Sequence, residues 1–149
     1  MKILVPVDGS EYALEAVRVA IDFVKTKGAS IALISVVPFI GGMDDHEISP
    51  ARRERHMESL QQRADGIIKQ ACEVIDAEQV TSSCAKQTVV SVSAAEAIID
   101  FAETEKIDLI VMGSRGLSPG ARFKLGSVAS QVVKGSPCSV YLVKLPARE

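Results

Sequence analysis

Aromatic residues are scarce in this chain: two tyrosines and four phenylalanines stand among 149 residues, and tryptophan is absent. Modules that bind nucleic acid by base stacking rely on aromatic side chains, so this composition disfavours them. No apolar run approaches the roughly 20 residues of a membrane span, and Met1-Lys2 leads straight into an apolar segment, which predicts no signal peptide. Ala, Val and Ile dominate a chain that is 47% hydrophobic, as expected for a soluble α/β protein.

Cysteine and histidine are also few. Cys72, Cys84 and Cys138 are odd in number and have no CxxC spacing, which is typical of reduced thiols in a cytoplasmic protein. His46 and His56 are ten residues apart, and a zinc site would need further nitrogen or sulfur ligands in compatible positions. We therefore expect no metal site built by the protein alone.

Acidic residues are missing between Leu109 and Arg148, where six basic residues occur. With Glu149 included, residues 109–149 carry six basic and one acidic residue, a net charge of +5, while residues 1–108 carry eleven basic and eighteen acidic residues, a net charge of −7. A basic end on an acidic chain suits a compact anion such as a nucleotide phosphate chain. It suits a nucleic-acid duplex poorly, because the acidic remainder would repel the duplex.

Five short apolar segments alternate with four segments of helical periodicity. The apolar segments are nearly continuous, which is typical of strands buried on both faces, and strand–helix alternation predicts a parallel sheet with helices on both sides. We predict one domain over residues 1–149. The predicted strands are 3–7, 31–37, 80–90, 107–112 and 138–144, and the predicted helices start near Ser10, Ala51, the capping box Ser93-x-x-Glu96 and Ser127.

The most distinctive stretch runs from Val111 to Ser130, VMGSRGLSPGARFKLGSVAS. It leaves the fourth strand, passes through several glycines and ends at Gly126-Ser127, where helical periodicity restarts. A strand, a glycine-rich loop and a helix N-terminus form an anion-binding arrangement, because the N–H groups of the first turn are unpaired donors at the positive end of the helix dipole. Ligands of parallel sheets bind beyond the carboxyl ends of the strands. If strands one and four are neighbours, Asp8 and Gly113 face each other there.

Several residues of this predicted site also have a simpler interpretation. Asp8 either caps the first helix or contacts a ligand, and the two roles do not exclude each other. Met112 either fills the core or packs against a ring of a ligand. Ser127 and Ser130 fit the first turn of any helix, and Ser127 is the better ligand candidate. The basic residues of the stretch are either an ordinary solvated face or phosphate ligands: Arg115, Arg122 and Lys124.

The spacing Gly113-x2-Gly116-x9-Gly126-Ser127 resembles the G-2x-G-9x-G-(S/T) signature of the ATP-binding universal stress proteins. The opening ILVPVDGSEYALEAV, the segment IDLIVMGSRG and the closing SPCSVYLVK are similar to the same family. The resemblance covers the whole chain. It implies an open five-stranded sheet of order 3-2-1-4-5 with helices on both faces, ATP over strands one and four, and a homodimer that pairs residues 138–144 with the symmetry mate.

The resemblance also implies roles for individual residues. Asp8 would hold the ribose or adenine side of the nucleotide, and Val36 would touch adenine. The segment from Gly126 to Val128 would hold the β- and γ-phosphates, with Mg²⁺ or Mn²⁺ bridging them. The full set of implied nucleotide-binding residues is Pro6, Val7, Asp8, Val36, Met112, Gly113, Arg115, Gly116, Gly126, Ser127 and Val128.

The chain departs from the family pattern at two places. Ser35 stands where many members have histidine, which we expect to change the polarity beside adenine. The segment from Val90 to Ser93 lacks the Gly-x-Pro that usually precedes the third helix, so contacts from that turn are expected to differ.

Three functions fit the sequence. There is no Walker A motif GxxxxGK(S/T), no SGGxDS loop and no general base in the glycine stretch. These features favour a dimeric ATP-binding stress-response regulator without catalytic residues that hydrolyses ATP slowly or not at all. The alternatives are an ATPase or phosphoryl- or nucleotidyl-transfer enzyme, and a nucleotide-free interaction module. For the regulator we expect Gly113→Val or Gly126→Val to abolish ATP binding while the fold survives.

Overall fold

The structure, a computed structural model, describes residues 1–39, 49–80, 84–117 and 125–145, without the side chain of Cys84. Five strands alternate with four helices in the described residues. The strands are β1 (Lys2–Pro6), β2 (Ser30–Pro38), β3 (Cys84–Ser91), β4 (Leu109–Gly113) and β5 (Ser139–Val143). The helices are α1 (Glu11–Lys27), α2 (Pro50–Ala77), α3 (Ala94–Thr104) and α4 (Ser127–Gly135).

The strands form one parallel sheet of order β3-β2-β1-β4-β5. Ile3 pairs with Ile31 on one side and with Leu109 on the other, so β1 is the central strand. The chain moves outward from β1 to β3 and then returns to β4. The strand order therefore reverses between β1 and β4, and the carboxyl ends of these two strands border a crevice. The predicted fold class and strand order are confirmed.

Two apolar cores flank the sheet, one on each face. Ile3 and Val5 of β1 belong to the core under α1 and α2, while Leu4 belongs to the core under α3 and α4. All three side chains are completely buried. Because successive residues of a strand point to opposite faces, a strand covered on both faces must be apolar throughout. This explains why the strands are continuous apolar runs in the sequence.

The predicted boundaries of the strands and helices differ from the structure where an apolar run of the sequence extends into a turn. Ile107 was predicted to start the fourth strand, but its N–H donates to the carbonyl of Ala102 at the end of α3, and β4 begins at Leu109. The preceding Lys106 has φ 53°, in the left-handed region. Ile107 is buried although it lies in a turn. None of the described helices is long and apolar enough to cross a bilayer.

Gly113, the last residue of β4, packs against the first turn of α1. A Cβ atom at this position would lie 2.6 Å from the Cβ of Tyr12 and 3.1 Å from its carbonyl carbon. Neither atom is at the end of a flexible side chain, so α1 and β4 would have to separate. Gly113 is therefore required for helix–sheet packing, and Gly113→Val is unsuited to a binding test that needs an intact fold.

We predict that Gly113→Ala lowers the free energy of unfolding by about 1–3 kcal/mol, the usual cost of overpacking. Gly66→Ala is the matched control, because Gly66 lies inside α2 with nothing within 4 Å of its added Cβ. That control should raise the free energy of unfolding by roughly 0.5–1 kcal/mol, since alanine favours the helix over glycine. Urea denaturation of the two variants measures the difference. Equal stability of Gly113→Ala and the wild type would contradict the packing role.

Candidate functional site

A crevice of about 400 Å³ opens at the carboxyl ends of β1 and β4. Its walls come from the loop after β1, from β2, from the start of α3, from the loop after β4 and from the start of α4. Every nucleotide-binding residue implied by the resemblance lines this crevice: Pro6, Val7, Asp8, Val36, Met112, Gly113, Arg115, Gly116, Gly126, Ser127 and Val128. The structure thus brings together residues that are up to 122 positions apart in the chain. Arg122 and Lys124 lie outside the described residues.

The loop after β4 is closed at its base by the buried residue Ser114. The N–H of Ser114 donates to the carbonyl of Val143 at the end of β5 (2.8 Å), and its carbonyl accepts from the N–H of Gly126 (2.8 Å). Eleven residues separate Ser114 from Gly126 in the sequence. The two hydrogen bonds fix the start of α4 directly beside the end of β4.

The N-terminus of α4 differs from those of the other described helices. The first three helices begin after a serine whose hydroxyl accepts from the amide of the third helical residue: Ser10 from Ala13, Ser49 from Arg52 and Ser93 from Glu96. α4 begins after Gly126, which has no side chain to act as a cap. Within the described part of the chain, the amides of Ser127, Val128 and Ala129 have no hydrogen-bond acceptor. These donors line the crevice and form an anion site.

Asp8 lies on the loop after β1 and lines the same crevice. Its Oδ1 accepts from the N–H of Ser10 (2.9 Å), and the hydroxyl of Ser10 accepts from the N–H of Ala13 (3.1 Å). The cap of α1 is therefore Ser10, and the alternative interpretation of Asp8 as that cap is wrong. Gly9 between them has φ +89°, a conformation that L side chains rarely adopt. The turn holds the carboxylate of Asp8 at the exposed mouth of the crevice.

The inner half of the crevice is apolar. Ile34 and Val36 of β2 face Ala94 and Ile98 of α3, with Met112 of β4 below. Sequence reasoning found Val36 and Met112 but missed the other three. Ile34 follows from the two-residue period of β2, because it shares a face with Val36. The other residues that were missed are Ser10, Ala13, Leu117, Leu125 and Ala129.

Ser35 does not line the crevice, contrary to the expectation that it changes the polarity beside adenine. It points to the opposite face of the sheet from Val36, as do its strand neighbours Leu33 and Val37, and it is 3% exposed. Alternation along a strand separates adjacent residues onto different faces. The substitution of histidine by serine relative to the family pattern therefore falls outside the described lining of the site.

The turn before α3 is built by two serines in place of the family's Gly-x-Pro. The hydroxyl of Ser91 accepts from the N–H of Ser93 (3.2 Å) and donates to its carbonyl (3.0 Å). The hydroxyl of Ser93 accepts from the N–H of Glu96, which confirms half of the predicted capping box. The other half is replaced, because Ser91 rather than Glu96 satisfies the N–H of Ser93. This turn delivers Ala94 to the crevice wall.

The crevice lining combines polar groups with the apolar side chains of β2 and α3. Its polar groups include the free amides of α4, the hydroxyl of Ser127, the guanidinium-bearing Arg115 and the carboxylate of Asp8. Among the described lining residues, Asp8 and Arg115 are the charged ones. Such a site suits a ligand with a phosphate group at one end and a flat apolar ring at the other.

The fold and the site together define an open parallel α/β protein with an anion-binding crevice at the point where strand order reverses. The chain belongs to the universal stress protein family, whose model matches residues 1–144. A universal stress protein of Methanocaldococcus jannaschii is 36% identical over 153 residues, covering 99% of this chain and 84% of its own length. One from Thermus aquaticus is 33% identical over 145 residues, covering 95% of this chain and 97% of its own.

Solved structures of the family share the fold. The universal stress protein UspA from Lactobacillus plantarum superposes with a TM-score of 0.81 at 25% identity, over 97% of each chain. A universal stress protein from Archaeoglobus fulgidus, solved in complex with dAMP, has a TM-score of 0.70 at 23% identity over 97% of this chain and 98% of its own. A family protein from Arabidopsis thaliana, solved with AMP bound, has a TM-score of 0.69 at 20% identity over 99% and 93%.

We predict that the amide of Ala129 exchanges with solvent faster than the amide of Ala13. Both alanines are the third residue of a helix and both side chains are buried, but only Ala13 donates to a serine cap. A cap hydrogen bond contributes about 1 kcal/mol, which corresponds to roughly fivefold in protection. Hydrogen exchange followed by NMR on the ligand-free protein measures both amides. Equal protection would mean that Ala129 has an acceptor and that the anion site is already satisfied.

Proposed function

We propose that this chain is an ATP-binding universal stress protein that acts as a dimeric stress-response regulator and hydrolyses ATP slowly or not at all. One observation carries the proposal. The uncapped N-terminus of α4 opens into the same crevice as an apolar chamber and a carboxylate, so the two ends of a nucleotide find complementary surfaces. Phosphate belongs at the amides of Ser127 to Ala129, and the adenine ring belongs between Val36 and Ile98.

The family fold carries adenine nucleotides in other chains. The Archaeoglobus and Arabidopsis proteins described above hold dAMP and AMP. Those ligands have a single phosphate. Assignment of ATP to this chain rests on the Gly126-Ser127 end of the signature, which the resemblance to the ATP-binding members assigns to the β- and γ-phosphates.

The described lining of the crevice contains no protein ligand set for a divalent cation. Among the described residues there is no cluster of three histidine, cysteine or acidic side chains, and Asp8 is the one carboxylate in the described lining. In this proposal Mg²⁺ or Mn²⁺ is therefore part of the ligand and is held by the phosphate oxygens. The chain itself contributes the row of amides of Ser127, Val128 and Ala129, called the amide row below, and the hydroxyl of Ser127.

The same lining supports slow hydrolysis. The described lining contains no histidine, lysine or cysteine, so the carboxylate of Asp8 is the one candidate general base in it. In this proposal Asp8 binds the nucleoside half of the nucleotide, and the amides of α4 bind its phosphates. A group placed to bind the nucleoside half is poorly placed to activate water at the terminal phosphate.

The proposed dimer uses β5, which ends the sheet. Ser139 and Tyr141 are exposed on this edge strand, and the Tyr141 ring packs edge-on against Phe23 of α1 with centroids 6.1 Å apart. An edge strand leaves a row of N–H and C=O groups unpaired unless something covers it. We expect the protein to sediment as a dimer at tens of micromolar, and a monomer in sedimentation velocity would refute the pairing.

A pair of substitutions at Ser127 tests the phosphate site without disturbing the fold. Ser127→Ala removes the hydroxyl, and Ser127→Pro removes the hydroxyl and the backbone N–H. Proline is well tolerated as the first residue of a helix, and the preceding Gly126 already has φ −61° and ψ 152°, which a following proline requires.

By isothermal titration with ATP we expect Ser127→Pro to bind at least about tenfold more weakly than Ser127→Ala, since a hydrogen bond to a charged group contributes about 1.5–3 kcal/mol. Both variants should unfold at the same urea concentration as the wild type within error. Equal affinity of the two variants would show that the amide row does not hold phosphate. Absence of ATP binding by the wild type at millimolar concentration would refute the function itself.

A further inference from the structure

The three signature glycines face different neighbours. A Cβ at Gly113 would meet Tyr12 of α1, and a Cβ at Gly126 would lie 3.3 Å from the Cα of Arg115 and from the carbonyl oxygen of Ser114. A Cβ at Gly116 would lie 2.8 Å from Oδ2 of Asp8. Apart from the residues adjacent to Gly116, that oxygen is the one described atom within 4 Å of the position. The Cβ position of the middle glycine therefore points at the first loop, while the backbone N of Gly116 lies 3.8 Å from the position that a Cβ at Gly126 would occupy.

The two carboxylate oxygens of Asp8 have different neighbours. Its Oδ1 is fixed by the N–H of Ser10 at 2.9 Å. Its Oδ2 occupies the space that a side chain at position 116 would fill. A methyl group there would push Oδ2 away, and because both oxygens belong to one carboxylate we expect Oδ1 to move relative to the N–H of Ser10. The backbone at Gly116 lies outside the left-handed region, so alanine at this position brings the methyl group without backbone strain.

We propose that Gly116 is a positioning residue that acts through Asp8. By leaving room for Oδ2, Gly116 allows the carboxylate to stay at the mouth of the crevice. There the carboxylate accepts hydrogen bonds from hydroxyl or amino groups of the nucleoside half of the ligand. A carboxylate repels phosphate and accepts only from donors. Together, the carboxylate of Asp8 and the free amides of α4 determine the orientation of the nucleotide in the crevice. The inference rests on the proposed nucleotide-binding function.

Two probes separate this role from a general effect on the loop. ADP carries both a nucleoside half and phosphates, whereas pyrophosphate carries phosphates alone. We expect Gly116→Ala to weaken ADP binding about tenfold, equivalent to about 1.4 kcal/mol, and to leave pyrophosphate binding within twofold of the wild type. Gly66→Ala is the control and should change neither affinity. An equal loss of ADP and pyrophosphate affinity in Gly116→Ala would overturn the proposal.

A double-mutant cycle tests whether the effect passes through Asp8. In an Asp8→Ala background the added methyl group has no carboxylate to displace, so Gly116→Ala should change ADP affinity by less than twofold. If the tenfold loss persists in that background, Gly116 acts on the ligand or the loop directly and the proposal is wrong.

The ligand-free protein gives a readout that does not depend on nucleotide binding. Gly116→Ala should shift the amide resonance of Ser10 in the same direction as Asp8→Ala does, because both disturb the bond from that amide to Oδ1. If the wild type takes up no ADP, the proposed function fails, and the Ser10 resonance still decides whether Gly116 positions Asp8. An unshifted resonance would overturn the positioning role.

Discussion

The hydrogen bond from the N–H of Gly126 to the carbonyl of Ser114 is the constraint on which the rest of the site depends. It joins the two ends of the loop after β4, and the other side of the same Ser114 peptide is tied to Val143 of β5. The start of α4 is thereby fixed against two strands of a rigid sheet. Without this closure, the free amides of α4 would not point at the crevice between β1 and β4. The sheet fixes where the N-terminus of α4 lies, and the closed loop fixes the direction in which its amides point.

The glycines around this closure show that one sequence signature combines three physical tasks. Gly113 lets α1 approach β4, Gly116 leaves room for the carboxylate of Asp8, and Gly126 starts a helix without capping it. Only the last task presents donors to an anion. Without a cap hydrogen bond, α4 is less stable than a helix that begins after a capping serine. The three other described helices begin in that way. A bound phosphate would supply the missing acceptors, which is how ligand binding and local stability become linked.

The sequence allowed all five strands to be predicted, because strands buried on both faces are continuous apolar runs. It did not determine the strand order, which came from the resemblance to a family. Contacts between distant segments could not be predicted either. The residues around Gly113 do not indicate in the sequence that Tyr12, 101 residues earlier, packs on this glycine. Ser35 was expected to change the polarity beside adenine, but strand alternation places it on the other face of the sheet from Val36. Asp8 was a cap candidate until the geometry showed that the hydroxyl of Ser10 accepts from Ala13.

The orientation of a bound nucleotide is decided by a crystal structure of the protein grown with ADP. We expect phosphate oxygens about 2.7–3.2 Å from the amide nitrogens of Ser127, Val128 or Ala129, the adenine ring between Val36 and Ile98, and a nucleoside hydroxyl or amino group on Asp8. A nucleotide bound in any other groove, or one with its phosphates turned away from α4, would contradict this expectation.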